Sequence, residues 1–243
     1  MRIIKLDATE STNSFLRDLG FNNSLEDFTV VVAKQQTQGR GQMGTVWNAK
    51  PGENLTFSVY KAFFGLKIQN QFYISIAVSL ALIDTLKAFK VRKISVKWPN
   101  DILSENKKLC GILIENVIKN NSLDSSIIGI GLNVNQKTFV NLPKATSMAM
   151  QAQQFFELDE VLLVFLTHLE SYFKVLEAGS FSKLHELYES YLFRKNKPST
   201  FKDAEGLVFA GFIKGVSPSG HLNVLLEDAV LKTYSLKEIS LLY

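Results

Sequence analysis

The chain has 243 residues, 46% of them hydrophobic and 21% charged, with a formal net charge of +4 and a pI near 9.0. That length suits one large domain, or a large domain with a small appendage, and the composition is that of a soluble globular protein. The lone cysteine, Cys110, excludes an intrachain disulfide framework, and the mild basicity suits an anionic partner such as a nucleotide or an acidic protein.

The N-terminus "MRIIKLDATESTN" lacks the apolar stretch of a signal peptide, and "ISIAVSLALI", closed by Asp84, is too short to span a bilayer. A cytoplasmic protein without membrane contact is the expectation. In chain order, "RIIKLD" reads as a short strand. In "STNSFLRDLG", Ser11 or Thr12 caps a short helix that Gly20 stops. "FTVVVAK" is a buried strand, residues 35–53 form a long polar, glycine-rich loop, and "NLTFSVYK" is a strand. Phe72, Ile76, Leu80, Ile83 and Leu86 recur at helical spacing over 70–89. "ISVKW", "DILS", "KLCGILIENVI" and "SSIIGIGLNVN" are strands whose short links imply antiparallel hairpins. After residue 145 two or three helices follow, the longest carrying Leu162, Phe165, Leu169, Phe173 and Leu176 on one stripe. Beyond "RKNKPST" the pattern returns to alternation in short strands joined by turns such as Pro218-Ser219-Gly220, which suggests a small C-terminal barrel.

Within "QTQGRGQMGTVW", Gly39, Gly41 and Gly44 spell G-x-G-x-x-G, but the context excludes a dinucleotide fold. That fingerprint needs the first glycine directly after a strand and a helix opening at the last. Here "QQTQ" intervenes before Gly39, and Pro51-Gly52 prevents a useful helix after Gly44. What remains is a flexible loop whose backbone amides approach an anion, with Arg40 as a planar charged fork; the bland alternative is an ordinary surface loop. Four further stretches bear on the choice. Ser11-Thr12-Asn13 is either a plain cap or a set of groups for a small polar ligand. Lys97 in "VKWPND" is either a snorkelling surface residue or a strand-end phosphate contact. Gly111 in "KLCGILIE" and the glycines of "GIGLNVN" mark either bulges or close approach of a ligand.

In this order the stretches resemble the biotin protein ligase family. That family's pattern runs S-T-N, then Q-x-x-G-R-G-R-x-G-R-x-W, K-W-P-N-D, K-x-x-G-I-L-x-E and G-x-G-x-N. The chain supplies Ser11 to Asn13, Gln36, Gly39 to Gly41, Gly44, Trp47, Lys97 to Asp101, Lys108, Gly111 to Leu113, Glu115 and Asn133. The resemblance is dense over residues 11–135 and beyond that rests on layout. It implies an α+β fold: a mixed-sheet catalytic domain like those of class II aminoacyl-tRNA synthetases, over 1–193, and a small SH3-like β-barrel over 194–243. Some relatives carry an N-terminal helix-turn-helix. Here Ser-Thr-Asn lies ten residues from Met1, so a ligase that does not bind nucleic acid is expected, as monomer or homodimer.

The implied chemistry uses biotin and ATP as substrates. The biotin carboxylate attacks the α-phosphorus, and a lysine of a biotin carboxyl carrier protein then attacks the adenylate. The resemblance assigns catalysis to Lys97 and Arg40. Biotin falls to Ser11, Thr12, Asn13, Gln36, Gly39, Arg40, Gly41, Gln42, Lys97 and Gly111, and the nucleotide to Arg40, Trp47, Lys97, Asn100 and Asn133. Mg²⁺ bridges the phosphates, with Asp101 as the candidate ligand. No enzyme nucleophile is required. Gln42 and Thr45 stand where relatives carry basic residues, which implies weaker retention of the adenylate. The loop from Gln35 to Gly52, short of apolar anchors, is expected to be mobile until ligand binds. Competing readings are a lipoate–protein ligase-like enzyme, a non-catalytic biotin-binding module, and a nucleic-acid-binding barrel; the last lacks a basic-aromatic stripe.

Overall fold

The computed structural model describes residues 1–22 and 24–243 and contains two sheets. Strand β1 (Arg2–Thr9) crosses through helix α1 (Thr12–Asn22) to a parallel neighbour, β2 (Thr29–Gln36). A parallel pair cannot be joined by a tight turn, so a crossover helix is required there. The helix does not stop at Gly20, as its sequence suggested. A Cβ there would lie 3.1 Å from Leu25 Cδ1, so the glycine makes room for the returning chain.

The remaining pairings of this sheet are antiparallel. They join β3 (Leu55–Ala62), β4 (Ile94–Lys97), β5 (Asp101–Ser104), β6 (Lys107–Lys119) and β7 (Ser122–Leu132) in the order β1-β2-β3-β7-β6-β5-β4. Period-two alternation gives the central strands two different faces. Leu55, Phe57 and Val59 of β3, Ile128, Ile130 and Leu132 of β7, and Cys110 and Ile112 of β6 are buried in the main core. That core is shared with α2 (Phe72–Ala88) and α4 (Leu158–Glu177). The opposite face carries Thr56, Ser58, Gly111, Gly129 and Gly131, with Ser58 opposite Gly129, Thr56 opposite Gly131, and Gly131 opposite Gly111. Where three glycines meet, the sheet has no side chains to fill its own surface.

Helix α2 is buried on nearly every side. The helical segment Ile68–Ala88 is long and apolar enough to cross a membrane by length and composition, although the shorter apolar run within it is not; 67% of its apolar 18-residue stretch is buried inside the protein. Packing between the sheet and α4 accounts for that composition. Phe57, 1% exposed, meets Phe165 edge-on at 5.4 Å. Phe57→Ala should therefore cost about 3–5 kcal/mol of unfolding free energy, measured as a shifted denaturant midpoint at constant slope.

A short helix α3 (Met148–Ala152) precedes α4, and α5 (Phe181–Ser190) follows it. The second sheet, all antiparallel, holds β8 (Pro198–Asp203), β9 (Val208–Val216), β10 (Leu222–Leu226), β11 (Leu231–Tyr234) and β12 (Ile239–Leu242) in the order β11-β10-β9-β8-β12. Its first strand begins within "RKNKPST", read from sequence as a link, because Ser199 and Phe201 alternate inward. The two bodies share one apolar cluster, in which Tyr188 and Leu192 join Ile213, Val216 and Leu222, and polar contacts also link them. Trp98 Nε1 donates to the Gly220 carbonyl at 2.8 Å, and Val216 N donates to Glu189 Oε1 at 2.8 Å.

Candidate active site

The glycine-lined face of the seven-stranded sheet is the floor of a cavity of about 340 Å³. Its roof is the 37–54 segment, which folds back on itself: Gly41 N donates to Thr45 O, Trp47 N to Gly39 O, and Arg40 bridges to Val46. The segment is anchored by an apolar group after all. The Trp47 indole lies on the two central glycines, so close that a Cβ at Gly131 would stand 2.2 Å from Cε2 and one at Gly111 3.1 Å from Cζ3. These glycines are there because the backbone must be approached closely.

One end of the cavity carries a connected network of neutral hydrogen-bonding side chains, closed on its outer side by the Glu115 carboxylate. The first turn of α1 brings Ser11, Thr12 and Asn13 over β3 and β7, all nearly fully buried. Thr12 donates from its backbone N (2.8 Å) and Oγ1 (3.1 Å) to Gln36 Oε1. Ser58 Oγ lies 2.7 Å from Thr12 Oγ1 and 2.5 Å from Asn13 Oδ1. Asn13 Nδ2 donates to Glu115 Oε2 at 2.8 Å, and a carboxylate can only accept, so the amide's orientation is fixed. The Asn13 side chain covers Gly129, where a Cβ would be 2.4 Å from Oδ1. Gly39 is no wall residue; its missing side chain leaves room for the Gln36 amide and the Trp47 carbonyl.

Two cations share the cavity wall, one beside this network and one away from it. Arg40 lines the wall, its Nη2 3.1 Å from Ser14 Oγ and 3.5 Å from Glu115 Oε2. The second cation is Lys108, whose Nζ is 2.6 Å from Asp101 Oδ1 and 5.7 Å from the Trp47 ring centre. Lys97, the lysine singled out from sequence, is not on the cavity wall. Its Nζ lies 3.5 Å from Asp101 Oδ2 and 5.3 Å from the Tyr243 ring, beneath the end of the second sheet. Asp101 thus stands between two ammonium groups, one inside the cavity and one outside.

A β-bulge explains which lysine enters. Across β5 and β6 the register runs Ser104 to Lys107 and Leu103 to Lys108, then skips to Ile102 and Cys110. Counting back from Gly111 by alternation would aim Lys108 at the helices; the extra residue, Leu109, turns it to the cavity face. Asn100 lines the wall, but its Nδ2 is spent on the Ile112 carbonyl at 2.7 Å, holding the 98–100 turn to β6. Asn133 is buried away from the cavity, donating to Thr146 O at 3.0 Å. Gly41, Gln42 and Gly111 are on the wall as expected. Cys110, fully buried, has a thiol pushed up by burial, and none of His168, His185 and His221 lines the cavity. The cavity therefore offers a neutral hydrogen-bonding network with Arg40 at its edge and Lys108 on another part of the wall, and among the described residues no activated nucleophile lines it.

Residues 6–133 match the model of the biotin/lipoate A/B protein ligase family. The chain is 30% identical over 237 residues to the bifunctional ligase/repressor BirA of Bacillus subtilis, covering 96% of this chain and 72% of that protein. It is 34% identical over 143 residues to the biotin–acetyl-CoA-carboxylase ligase of Mycobacterium tuberculosis, covering 58% of this chain and 52% of that one. Among solved structures, the Aquifex aeolicus biotin protein ligase in complex with biotin and ATP superposes with a TM-score of 0.79. It shares 28% identity, over 99% of this chain and 98% of that one.

Proposed function

The chain belongs to the biotin/lipoate A/B protein ligase family, and from that premise we propose that it is an ATP-dependent biotin–protein ligase. The observation that carries this reading is the pairing, on one cavity wall, of buried neutral hydrogen-bonding side chains with two cations, Arg40 and Lys108. A urea ring needs both a donor for its carbonyl and acceptors for its N–H groups, which Ser11, Thr12, Asn13 and Gln36 on the wall supply between them, with Ser58 holding Thr12 and Asn13 from behind. A carboxylate and a phosphate need positive charge, which Lys108 and Arg40 supply.

The biotin carboxylate oxygen forms a bond to the α-phosphorus of ATP while the bond to the departing pyrophosphate breaks. Negative charge gathers on the phosphoryl oxygens, and Lys108 and Arg40 oppose it from the wall. A lysine amine of a biotin carboxyl carrier protein then attacks the acyl carbon of biotinyl-5′-AMP, and AMP leaves. Both nucleophiles come from substrates, which accords with a cavity that holds no histidine and no reactive thiol. Lys97 is assigned to holding Asp101, and through it Lys108, rather than to substrate.

Residues 1–193 are read as the catalytic domain and 194–243 as an SH3-like domain; the separate sheet beginning at Pro198 supports that division. Magnesium would serve the phosphates by neutralising their charge. The protein does not fit as its cage: among the described residues no three His, Cys, Asp or Glu side chains cluster, and Asp101 already faces two lysines.

The test is incubation with biotin, Mg-ATP and a biotin carboxyl carrier domain, followed by the carrier's mass. One biotinyl addition is expected; an unmodified carrier, or equal modification when lipoate replaces biotin, would overturn the reading. A second expectation concerns Gln42, on the cavity wall where relatives carry a basic residue. A charge-assisted hydrogen bond is worth roughly 1.5–3 kcal/mol, so Gln42→Arg should slow release of labelled adenylate about tenfold or more. The rate of adenylate formation should hardly change.

A further inference from the structure

Glu115 and Arg17 are not needed to line the cavity, yet they bracket its arginine. Glu115 Oε1 accepts from Arg17 Nη2 at 2.6 Å, while its Oε2 accepts from Asn13 Nδ2 at 2.8 Å and lies 3.5 Å from Arg40 Nη2. One carboxylate thus faces two guanidinium groups, and the nearer takes the strong charge-assisted bond. Arg40 is left at the margin of that contact, shared with the Ser14 hydroxyl at 3.1 Å. Arg17 is on the outer flank of α1, one helical turn beyond Asn13, and does not line the cavity.

We propose that Arg17 is a positioning residue that keeps Glu115 neutralised, so that Arg40 is held beside the cavity but remains free to move onto the phosphates of the nucleotide. The inference rests on the biotin-ligase reading of the site. With Arg17 in place, Arg40 gives up only a 3.5 Å contact when it meets a phosphate, and Glu115 keeps both an arginine and the Asn13 amide. Without Arg17, Glu115 draws Arg40 into a full ion pair and competes with the ligand for it. All three groups are partly exposed, at 50% for Arg17, 41% for Arg40 and 28% for Glu115, so screening keeps the effect moderate.

The experiment is biotin-dependent ATP–pyrophosphate exchange by the full chain, with KM measured separately for ATP and for biotin. Arg17→Gln should raise the KM for ATP roughly three- to tenfold and leave the KM for biotin and the saturated rate near their wild-type values. Glu115→Gln keeps an acceptor for Asn13 but removes the competing charge, so Arg17→Gln combined with Glu115→Gln should return the KM for ATP to within about twofold of wild type. Arg17→Lys restores the charge and should recover most of the loss, which keeps the test usable if Arg17→Gln folds poorly. A merely structural role would lower melting temperature and leave the double variant worse than either single one. Normal wild-type exchange with an unchanged ATP KM in Arg17→Gln, or no recovery in the double variant, overturns the inference alone. Absence of exchange in the wild type overturns the functional reading and the inference with it.

Discussion

Lys108→Ala should reduce the single-turnover rate of adenylate formation by roughly 10²–10³-fold, the usual loss when one preorganised charge or donor is removed from a reacting centre. The side chain is 38% exposed, paired with Asp101 on the cavity wall, so the folded structure has little to lose from its removal. An unchanged melting temperature is expected alongside the slow rate. Lys97→Ala makes the contrast. Its ammonium meets Asp101 at 3.5 Å from outside, under the Tyr243 ring, and its loss should slow adenylation only several-fold. If Lys97→Ala were the inactive variant and Lys108→Ala the active one, the assignment of the cavity's cation would be reversed.

The second large effect should come from a single methyl group. Gly129 lies beneath Asn13, and a Cβ there would stand 2.4 Å from Oδ1 and 3.0 Å from Cγ, closer than real Cβ atoms come. Asn13 cannot retreat cheaply, because its amide is bound on one side to Ser58 and on the other to Glu115 and the Leu113 carbonyl. Gly129→Ala should therefore break this network and raise the KM for biotin by about 10²-fold, as the loss of two or three hydrogen bonds implies. The KM for ATP should move less, since Lys108 is untouched, Arg17 still neutralises Glu115, and Arg40 meets the network only through that carboxylate. Equal changes in both constants would indicate a general collapse of the cavity. A biotin KM within a few-fold of wild type would show that the network does not hold the ligand's polar head.

Much of this arrangement is legible before any coordinates. Alternation over "IGIGL" separates the core-facing Ile128, Ile130 and Leu132 from the glycines, and the Leu162-to-Leu176 stripe fixes which side of α4 is buried. The broken context around Gly39 excludes a dinucleotide fold. What alternation cannot reveal is the bulge at Leu109, because an extra residue leaves no mark on composition and yet exchanges the faces of everything before it. For that reason the sequence points to Lys97 and passes over Lys108, although of the two only Lys108 is on the cavity wall. The roof loop misleads for a related reason. Its polarity suggests that no apolar group anchors it, but Trp47 finds its partner in two glycines some sixty and eighty residues away, and a pairing with bare backbone has no hydrophobic signature of its own. Asn133 shows the converse. It belongs to a ligand-like motif, yet its amide is spent on the Thr146 carbonyl. Glu115, Arg17 and Arg40 come together from a strand, a helix and a loop, and only the assembled fold shows one carboxylate dividing its charge between two arginines.

The central claim is that this cavity joins biotin to the α-phosphate of ATP before any acceptor protein is involved. Exchange of labelled pyrophosphate into ATP by the purified chain, with no carrier present, tests it most directly. Reversible adenylation predicts exchange that requires biotin, disappears when biotin is omitted, and is not supported by lipoate. Exchange that is absent with biotin, or that proceeds equally without it, would contradict the claim.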